Sequence, residues 1–241
     1  MAIGSLHAVV IGGSDGIGLA VTRKLLDRGW RVAGLSRSPS PIDDPAYTHE
    51  VVDVTVSDYP AALARSLDRL GRVDLCVYSV GIGARTGLAD LPTQTRTIEV
   101  NLLGLARTVE AVVPCMVAAG GGHIVGLSSY ADVMFDAAAF GYPASKAGMS
   151  AYLSGLSLAV RRRGVRVTNV RFGLVDTKMG QSPVRPMLIT ADRAADVVLR
   201  TLRRRPAVVS YPRRMGVLVG LIRVGLALQL RLWRPRPDNA S

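Results

Sequence analysis

The chain has 241 residues, 49% of them hydrophobic and 20% charged, and it contains 25 glycines, 13 prolines and two cysteines. This composition excludes a disordered chain, a collagen-like chain and a coiled coil, and the length favours one α/β domain with a sizeable core. Two cysteines, Cys76 and Cys115, cannot form a disulfide framework, and no cluster of cysteine and histidine has metal-ligand spacing. We expect both to be buried apolar thiols in a reducing compartment, and the N-terminus lacks the pattern of a signal peptide.

The net charge of +12 is unevenly distributed along the chain. Residues 1–160 carry 12 basic and 14 acidic side chains, whereas residues 161–241 carry 18 basic and four acidic ones. A basic C-terminal third suggests an acidic partner, such as nucleic acid, an anionic membrane or a phosphorylated ligand. Aromatic residues make up only 5% of the chain and are not interleaved with the basic ones, so nucleic acid is not the expected partner.

Short apolar strands alternate with helical patterns from residue 6 to residue 212. The predicted strands are residues 6–12, 30–36, 48–55, 73–81, 121–129, 165–173 and 206–212. The predicted helices are residues 17–28, 58–70, 93–119, 143–163 and 190–204. This alternation indicates an α/β fold, a single doubly wound domain over residues 1–212 with a parallel sheet of about seven strands and helices on both faces. Residues 213–241 form a separate basic and apolar helical tail.

A glycine-rich turn joins the first predicted strand to the first helix. Glycines at Gly12, Gly16 and Gly18 allow a tight turn, a close approach of the backbone to a pyrophosphate, and close packing of helix on strand. The helix N-terminus offers free N–H groups and positive potential to phosphates. Because the motif lies between strand and helix, it predicts a Rossmann-type dinucleotide site rather than a plain turn.

The end of the second strand bears on the choice of cofactor. An NAD enzyme usually has an acidic residue there to bind the ribose 2′-hydroxyl, whereas this chain has Ser36, Arg37 and Ser38. A guanidinium can pair with a 2′-phosphate and the hydroxyls can add hydrogen bonds, so we predict NADP(H). The alternative is that Arg37 is an ordinary surface residue, and Asp15 argues mildly against a phosphate nearby.

Asp53 and Val54 follow the third predicted strand. The Asp53 carboxylate could meet an adenine amino group, or it could be a turn residue at the strand end. The residues alone leave these two interpretations even.

Tyr142 and Lys146 lie four residues apart at the start of a predicted helix, on one face. A free phenol has a pKa of about 10, and a nearby ammonium favours the phenolate and lowers that value. Such a pair can act as an acid in ketone reduction or as a base in alcohol oxidation. Ser129, at the end of the fifth strand, could hold the substrate oxygen, and Asn101 lies in the preceding long helix. Taken alone, a Tyr-x-x-x-Lys pattern is more often a pair of ordinary surface residues without a catalytic role.

Over residues 6–212 the chain resembles the short-chain dehydrogenase/reductase family. The shared motifs are Gly12-x-x-x-Gly16-x-Gly18, Asp53, Asn101, Ser129, Tyr142-x-x-x-Lys146 and Gly173-Leu174-Val175-Asp176-Thr177. The resemblance implies that Tyr142 donates a proton to a carbonyl while NADPH delivers hydride, and that Ser129 positions that carbonyl. It further implies that Lys146 lowers the Tyr142 pKa and bonds the nicotinamide ribose, and that Asn101 holds a water that relays protons through Lys146.

The resemblance also implies the set of cofactor contacts. Val175 and Thr177 would contact the carboxamide and select the nicotinamide face. The full set of implied contacts is Gly12, Ser14, Asp15, Gly16, Ile17, Gly18, Ser36, Arg37, Ser38, Asp53, Val54, Ser79, Gly81, Tyr142, Lys146, Val175 and Thr177. No metal is implied.

The chain departs from the family pattern at three places. Ile11 stands where the family has threonine, and Tyr78-Ser79-Val80-Gly81 stands where it has Asn-Asn-Ala-Gly. These changes are expected to remove hydrogen bonds that brace the cofactor end of the sheet. Phe172 replaces a proline and could form a wall beside the nicotinamide.

The tail contains an apolar helical stretch, residues 215–230, with Arg223 as its one charge. Sixteen helical residues reach about 24 Å, short of a bilayer core of about 30 Å, so a single span is not expected. On a helix, one narrow stripe is small or basic and nearly all the rest is bulky and apolar. The stripe consists of Gly216, Gly220, Arg223, Ala227, Arg231 and Arg234. This pattern favours a helix lying in an anionic membrane interface; the alternatives are packing on a partner subunit or roofing the substrate pocket.

The tail and the short segment 178–190 also give a looser resemblance to the branch with 3-ketodihydrosphingosine reductase and related lipid-ketone reductases. We therefore predict NADPH-dependent hydride transfer between nicotinamide and a ketone or secondary alcohol on a hydrophobic substrate, with a lipid among the candidates. The alternatives are a soluble ketoreductase of specialised metabolism, with the tail as a dimer or lid element, and a non-catalytic NADP-binding regulatory protein. The family suggests a homodimer or homotetramer, and we expect a cytoplasmic protein, with peripheral attachment to the inner membrane face as an option.

Overall fold

The computed structural model of the protein describes residues 5–179 and 187–232, which form an alternating series of strands and helices. The strands are β1 (His7–Ile11), β2 (Arg31–Ser36), β3 (Tyr47–Val51), β4 (Leu75–Tyr78), β5 (Gly122–Ser129), β6 (Val165–Phe172), β7 (Val175–Asp176), β8 (Ile189–Thr190) and β9 (Val208–Tyr211). The α-helices are α1 (Gly16–Leu26), α2 (Tyr59–Leu70), α3 (Leu91–Ile98), α4 (Gly104–Ala118), α5 (Gly141–Val160), α6 (Ala191–Arg204) and α7 (Arg213–Leu232). Two predictions from the sequence fall partly outside the described residues. In the small and basic stripe of the tail these are Arg234 and the side chains of Ala227 and Arg231, and in the short segment 178–190 they are residues 180–186.

The main sheet has seven parallel strands in the order β3-β2-β1-β4-β5-β6-β9. The predicted single α/β domain with a seven-stranded parallel sheet is therefore confirmed. The strand order reverses between β1 and β4, and a crevice at such a reversal, at the carboxyl ends of the strands, is where doubly wound folds bind ligands. The short strands β7 and β8 pair separately beside this edge.

Helices cover both faces of the sheet and bury two apolar cores. Tyr59 of α2, Leu105 of α4 and Leu153 of α5 belong to one core. Val21 of α1 and Val198 of α6 belong to the other. The central strands β1, β2 and β4 are covered on both faces and are largely apolar runs, which is why they can be recognised in the sequence.

Helix boundaries follow local chemistry. The Asp15 carboxylate accepts a hydrogen bond from the Gly16 N–H at 2.7 Å and caps α1. The Thr190 hydroxyl oxygen accepts from the Arg193 N–H at 3.1 Å and caps α6. Gly71 ends α2 with a left-handed φ of 71°, a conformation that glycine adopts without strain.

The long helix predicted over residues 93–119 is not uniform. A π-helical segment, Glu99–Leu103, separates α3 from α4 and contains Asn101. By length and composition alone, Leu91–Ala118 could cross a bilayer, but its inner face packs into the domain core. Cys76 is buried as expected, whereas Cys115 on α4 is exposed, so the expectation of a buried thiol is wrong there. Cys115 occupies the solvent-facing side of an amphipathic helix.

The first two turns of the C-terminal helix α7 pack on the domain. Met215 and Val219 are 7% and 9% exposed and pack on Tyr130, whose hydroxyl donates to the Pro212 carbonyl oxygen at 2.9 Å. Further along the helix, large apolar side chains face solvent. These are Val217, Leu218, Leu221, Ile222, Val224 and Leu228. The first turns therefore serve as a wall of the domain, and the following turns present an uncovered apolar surface.

Candidate active site

Two connected cavities open at the carboxyl edge of the sheet. A groove of about 500 Å³ runs over the glycine-rich turn and the ends of β2 and β3. An apolar cavity of about 410 Å³ lies deeper, between β5, β6, α5 and α7. The two share lining residues, so they form one continuous space. The shared residues are Ile17, Ser79, Gly81, Gly83, Thr177 and Met179.

The glycine-rich turn is packed too closely for side chains. Gly12 and Gly16 have φ values of 89° and 52°. A Cβ atom at Gly18 would lie 2.1 Å from the Gly12 carbonyl oxygen. These positions therefore require glycine, and Gly12 and Gly16 form the floor of the groove with Ser14 and Asp15.

The departures from the family pattern keep the hydrogen bonds that brace this end of the sheet. The Ser79 hydroxyl donates to the Ile11 carbonyl oxygen at 2.7 Å and lies 3.2 Å from that of Gly12. The Tyr78 hydroxyl donates to the Val100 carbonyl oxygen at 2.6 Å. The expectation that these departures remove the bracing groups is therefore wrong, because Ser79 and Tyr78 supply donors from new atoms.

Asp15 does not place an unbalanced negative charge in the groove. Its carboxylate lies 2.7 Å from the ammonium of Lys178, which follows β7. The hydrogen bond from Lys178 lowers the pKa of Asp15 most strongly, burial opposes it, and the Gly16 N–H adds to the lowering. The pair joins the glycine-rich turn to the segment that carries Thr177, on the other side of the groove.

The end of β2 presents a free cation to the groove. Within the described residues, the exposed Arg37 guanidinium forms no hydrogen bond or ion pair, and it lines the groove with Ser36 and Ser38. Burial raises the pKa of Asp53, but hydrogen bonds from Thr55 and the charges of Arg96 and Arg37 outweigh it, so the pKa is lowered.

Asp53 is held as a turn residue at the entrance to the groove. One carboxylate oxygen accepts from the Thr55 N–H at 2.9 Å and from its hydroxyl at 2.7 Å, and the other accepts from Arg96 at 3.0 Å. Val54, next to it, is buried against Gly104. These hydrogen bonds support the interpretation of Asp53 as a turn residue, while its contact with an adenine remains a prediction.

Ser129, Tyr142 and Lys146 line one wall of the apolar cavity. Ser129 ends β5, and the other two lie on the first turns of α5, with the Lys146 nitrogen 5.8 Å from the centre of the Tyr142 ring. Burial raises the pKa of Tyr142, although a hydrogen bond with the Ser129 hydroxyl partly opposes the rise. The expected lowering of this pKa by Lys146 is therefore wrong for the protein by itself, because desolvation dominates.

Lys146 is buried without an anionic partner among the described residues. Its ammonium donates to the Leu127 carbonyl oxygen at 3.0 Å, and burial lowers its pKa to about 8. A Cβ atom at Gly81 would lie 3.4 Å from this nitrogen, so the absence of a side chain there leaves room beside the ammonium where the cavity meets the groove.

Asn101 is fully buried, and its amide is occupied by protein partners. Its oxygen accepts from the Ile82 N–H at 2.8 Å, and its nitrogen donates to the Ile82 carbonyl at 2.9 Å and to the Ser145 hydroxyl at 2.9 Å. Asn101 therefore fixes the loop after β4 to α5, beside Lys146. These contacts add a structural role for the side chain, and the role of Asn101 in holding a water that relays protons through Lys146 remains a prediction.

Several cavity residues were not singled out in the sequence. Met215 and Val219 of α7 line the apolar cavity, and Arg85 and Asp136 form an ion pair at its rim. Three residues that the sequence did single out also line the cavity: the buried Phe172, and Val175 and Thr177. Nothing in local spacing indicates which distant segments meet, so only the apolar pattern of the tail hinted at α7. In the described ranges no three potential metal ligands cluster together.

Comparison with known proteins identifies relatives over nearly the whole chain. The family model for short chain dehydrogenases matches residues 6–187. An uncharacterized oxidoreductase of Myxococcus xanthus is 32% identical over 90% of this chain and 91% of its own. The 2-(R)-hydroxypropyl-CoM dehydrogenase of Xanthobacter autotrophicus is 29% identical over 72% and 76%, respectively. A solved short chain dehydrogenase from Burkholderia cenocepacia in complex with NADP is 26% identical, with a TM-score of 0.83 over 98% of this chain and 100% of that one.

Proposed function

Because this chain belongs to the short-chain dehydrogenase family and is an oxidoreductase of that family, we propose that it transfers hydride between NADP(H) and a ketone or secondary alcohol on a hydrophobic substrate. The observation that carries the proposal is the placement of Ser129, Tyr142 and Lys146 on one wall of an apolar cavity that opens into the glycine-lined groove. A proton-transfer group and a nucleotide site share one space, which hydride transfer to a carbonyl requires.

The residues of the groove fit a dinucleotide with a 2′-phosphate. The glycine-rich turn leaves the space that a pyrophosphate needs, and the positive N-terminal end of α1 faces it. Arg37 is a free guanidinium at the end of β2, where a bidentate pair with a phosphate can form. The NADP in the similar Burkholderia cenocepacia structure supports the same choice. When bound, this cofactor supplies the hydride.

The side chains of this chain supply the proton and the orientation. The raised pKa of Tyr142 keeps its hydroxyl protonated at neutral pH, so it can donate to a substrate oxygen during reduction. The Ser129 hydroxyl bonds Tyr142 and can donate to the same substrate oxygen. Lys146 holds a positive charge beside Gly81 and can donate to a ribose hydroxyl, and Asn101 fixes the intervening loop.

The cavity favours an apolar substrate. Its lining is mostly aliphatic and aromatic and includes Leu127, Tyr130, Met134, Phe172, Leu174 and Val219. Among the residues that the structure describes, the charged groups of the lining are Lys146 and the pair Arg85 and Asp136 at the rim. A long-chain or polycyclic ketone, including a lipid ketone as in the sphingosine-type branch, would bury its body here.

The decisive test is a Tyr142→Phe comparison with a panel of hydrophobic ketones. The wild type should oxidise NADPH in the presence of at least one of them, and the variant should lose at least about a thousandfold in kcat while binding NADPH equally well. A variant that retains full turnover would refute the mechanism. A wild type that binds NADPH but turns over no carbonyl substrate would favour the non-catalytic regulatory alternative.

For the tail, we propose that the exposed apolar surface of α7 lies on an anionic membrane. Arg213, Arg214 and Arg223 are exposed on the same helix as the uncovered Leu221 and Leu228. Such a helix gains both apolar burial and attraction to lipid phosphates. The protein would then be cytoplasmic and peripheral on the inner membrane face.

Co-sedimentation distinguishes the roles of the tail. Binding to vesicles with anionic lipid, but not to zwitterionic ones, and its loss in an Arg213→Gln/Arg214→Gln/Arg223→Gln variant are the expected results. The opposing result is a protein that binds no vesicles and forms a concentration-dependent homodimer or homotetramer that Leu221→Asp dissociates. That result would assign α7 to a subunit interface and favour the soluble ketoreductase alternative.

A further inference from the structure

A histidine on the edge strand of the sheet lies directly behind the groove at the end of β2. Tyr47 and His49 project from the same face of β3, and His49 pairs in register with Gly34 of β2. A Cβ atom at Gly34 would lie 2.1 Å from the Tyr47 hydroxyl and 2.9 Å from the His49 Nδ1. The missing side chain at Gly34 thus leaves the space that the Tyr47–His49 pair fills.

The hydrogen bonds of His49 determine where its proton lies. Nε2 is 3.0 Å from the Ser38 carbonyl oxygen, which can only accept, so Nε2 carries the hydrogen. Nδ1 is then an acceptor, and it receives the Tyr47 hydroxyl hydrogen at 2.9 Å. Tyr47 is also bonded by the Ser40 hydroxyl, which opposes the rise of its pKa caused by burial. The network therefore connects β3 to both ends of the segment 38–40.

This arrangement sets the direction of the Ser36 hydroxyl. Ser36 Oγ lies 3.2 Å from His49 Nε2, so it can share that hydrogen with the Ser38 carbonyl oxygen in a three-centre bond and keep its own for donation. Within the described residues its acceptor is the Ser38 carbonyl oxygen at 3.2 Å, a long bond. A 2′-phosphate is acceptor-only and charged, so it would attract this hydrogen more strongly than a carbonyl does.

From this geometry we infer that His49 is a positioning residue that sets the preference for NADPH over NADH. It does not contact the cofactor. It orients the Ser36 hydroxyl and holds the segment that begins at Arg37, so that a donor and a cation meet the 2′-phosphate together. A 2′-hydroxyl gains much less from the same arrangement, because it carries no charge. The inference rests on the proposed NADP dependence.

The test measures dissociation constants for NADPH and for NADH by fluorescence titration in matched variants. His49→Ala should weaken NADPH binding about tenfold and change NADH binding less than about twofold, which is the loss expected for a misdirected bond to a charged group. His49→Gln should stay within about threefold of wild type, because an amide can donate to Ser38 and accept from Tyr47. His7→Ala is the control. His7 lies at the amino-terminal end of β1, away from the groove at the carboxyl ends of the strands, and its ring nitrogen Nδ1 lies 2.7 Å from the Leu70 carbonyl oxygen.

A double variant separates positioning from general damage. If His49 acts through Ser36, His49→Ala should add little to the loss in NADPH affinity caused by Ser36→Ala, whereas independent effects would multiply. Equal weakening of NADPH and NADH in His49→Ala, or unchanged preference, overturns the inference while the wild-type preference for NADPH still stands. A wild type that binds both cofactors equally overturns the NADP assignment itself, and the inference with it.

Discussion

The ammonium of Lys146 lies 3.0 Å from the main-chain oxygen of Leu127, and this neutral acceptor holds a buried cation that no carboxylate among the described residues pairs with. Burial accordingly lowers the pKa of Lys146 to about 8. A charge that is costly in the folded protein but placed beside Gly81 and the groove is a charge poised for a bound polar partner. The buried charge should therefore lower the unfolding free energy of the domain at neutral pH.

Replacement of Lys146 by methionine should stabilise the protein at neutral pH. The folded state binds this proton more weakly than the unfolded state, whose lysine pKa is about 10.4, so wild-type stability rises as pH increases through about 8. Between pH 7 and pH 9.5 the unfolding free energy of the wild type should increase by about 2 kcal/mol from this group. The Lys146→Met variant should lack this increase. Urea unfolding of both proteins at the two pH values measures the difference. Equal pH dependence in the two would contradict the lowered pKa.

Ser79 should be important for both the fold and the nucleotide groove. Its hydroxyl joins β4 to the carbonyl oxygens of Ile11 and Gly12 at the start of the glycine-rich turn. Ser79→Ala should cost about 1 kcal/mol of unfolding free energy and weaken NADPH binding several-fold. The Ile11 carbonyl oxygen then loses the hydroxyl donor and keeps the Ser79 N–H at 2.9 Å. Ser154→Ala is a suitable control, since the Ser154 hydroxyl donates to the Ser150 carbonyl oxygen on the exposed side of α5. Similar losses in both variants would argue against a special role for Ser79.

The parts that the sequence predicted well depend on short-range pattern. The strands and helices are periodic apolar segments, so the seven-stranded sheet followed from the pattern. Ser129 and Tyr142 were assigned to one site through the family resemblance, and both line the apolar cavity. The parts that failed depend on contacts between distant segments. The donors supplied by Ser79 and Tyr78 and the desolvation of Tyr142 arise only after the chain has folded.

Asp132 should couple the stability of the domain to catalysis. Its buried carboxylate accepts from the Ser150 hydroxyl at 2.6 Å, on the helix that carries Tyr142, and from Arg171 of β6 at 2.5 Å. Asp132→Asn keeps the shape but leaves the Arg171 charge without its partner, and we expect a loss of about 3 kcal/mol in stability. The same variant should lower kcat more than it raises the KM for NADPH, because the turn after Ser129 loosens.

A second aspartate in the same segment provides the comparison for Asp132. Asp136 pairs with Arg85, whose side chain is 70% exposed, at the rim of the cavity. Exposed pairs contribute roughly 0–1 kcal/mol, so Asp136→Asn should change stability little. Thermal or urea unfolding of the two variants decides the matter, and indistinguishable stabilities would mean that Asp132 is not the connection between β6 and α5 that its contacts indicate.

The inner side of α7 should determine the size of the substrate. Val219 is 9% exposed and lines the apolar cavity, whereas Val217, on the same helix, is 70% exposed. Val219→Ala enlarges the cavity by two methyl groups, so kcat/KM should shift toward bulkier ketones by roughly threefold to tenfold relative to smaller ones, with NADPH affinity unchanged. Val217→Ala makes the same chemical change outside the cavity and should leave the ratio at its wild-type value. If both variants left the ratio unaltered, α7 would act only as an attachment surface, and substrate size would be set by other lining residues such as Phe172 and Met134.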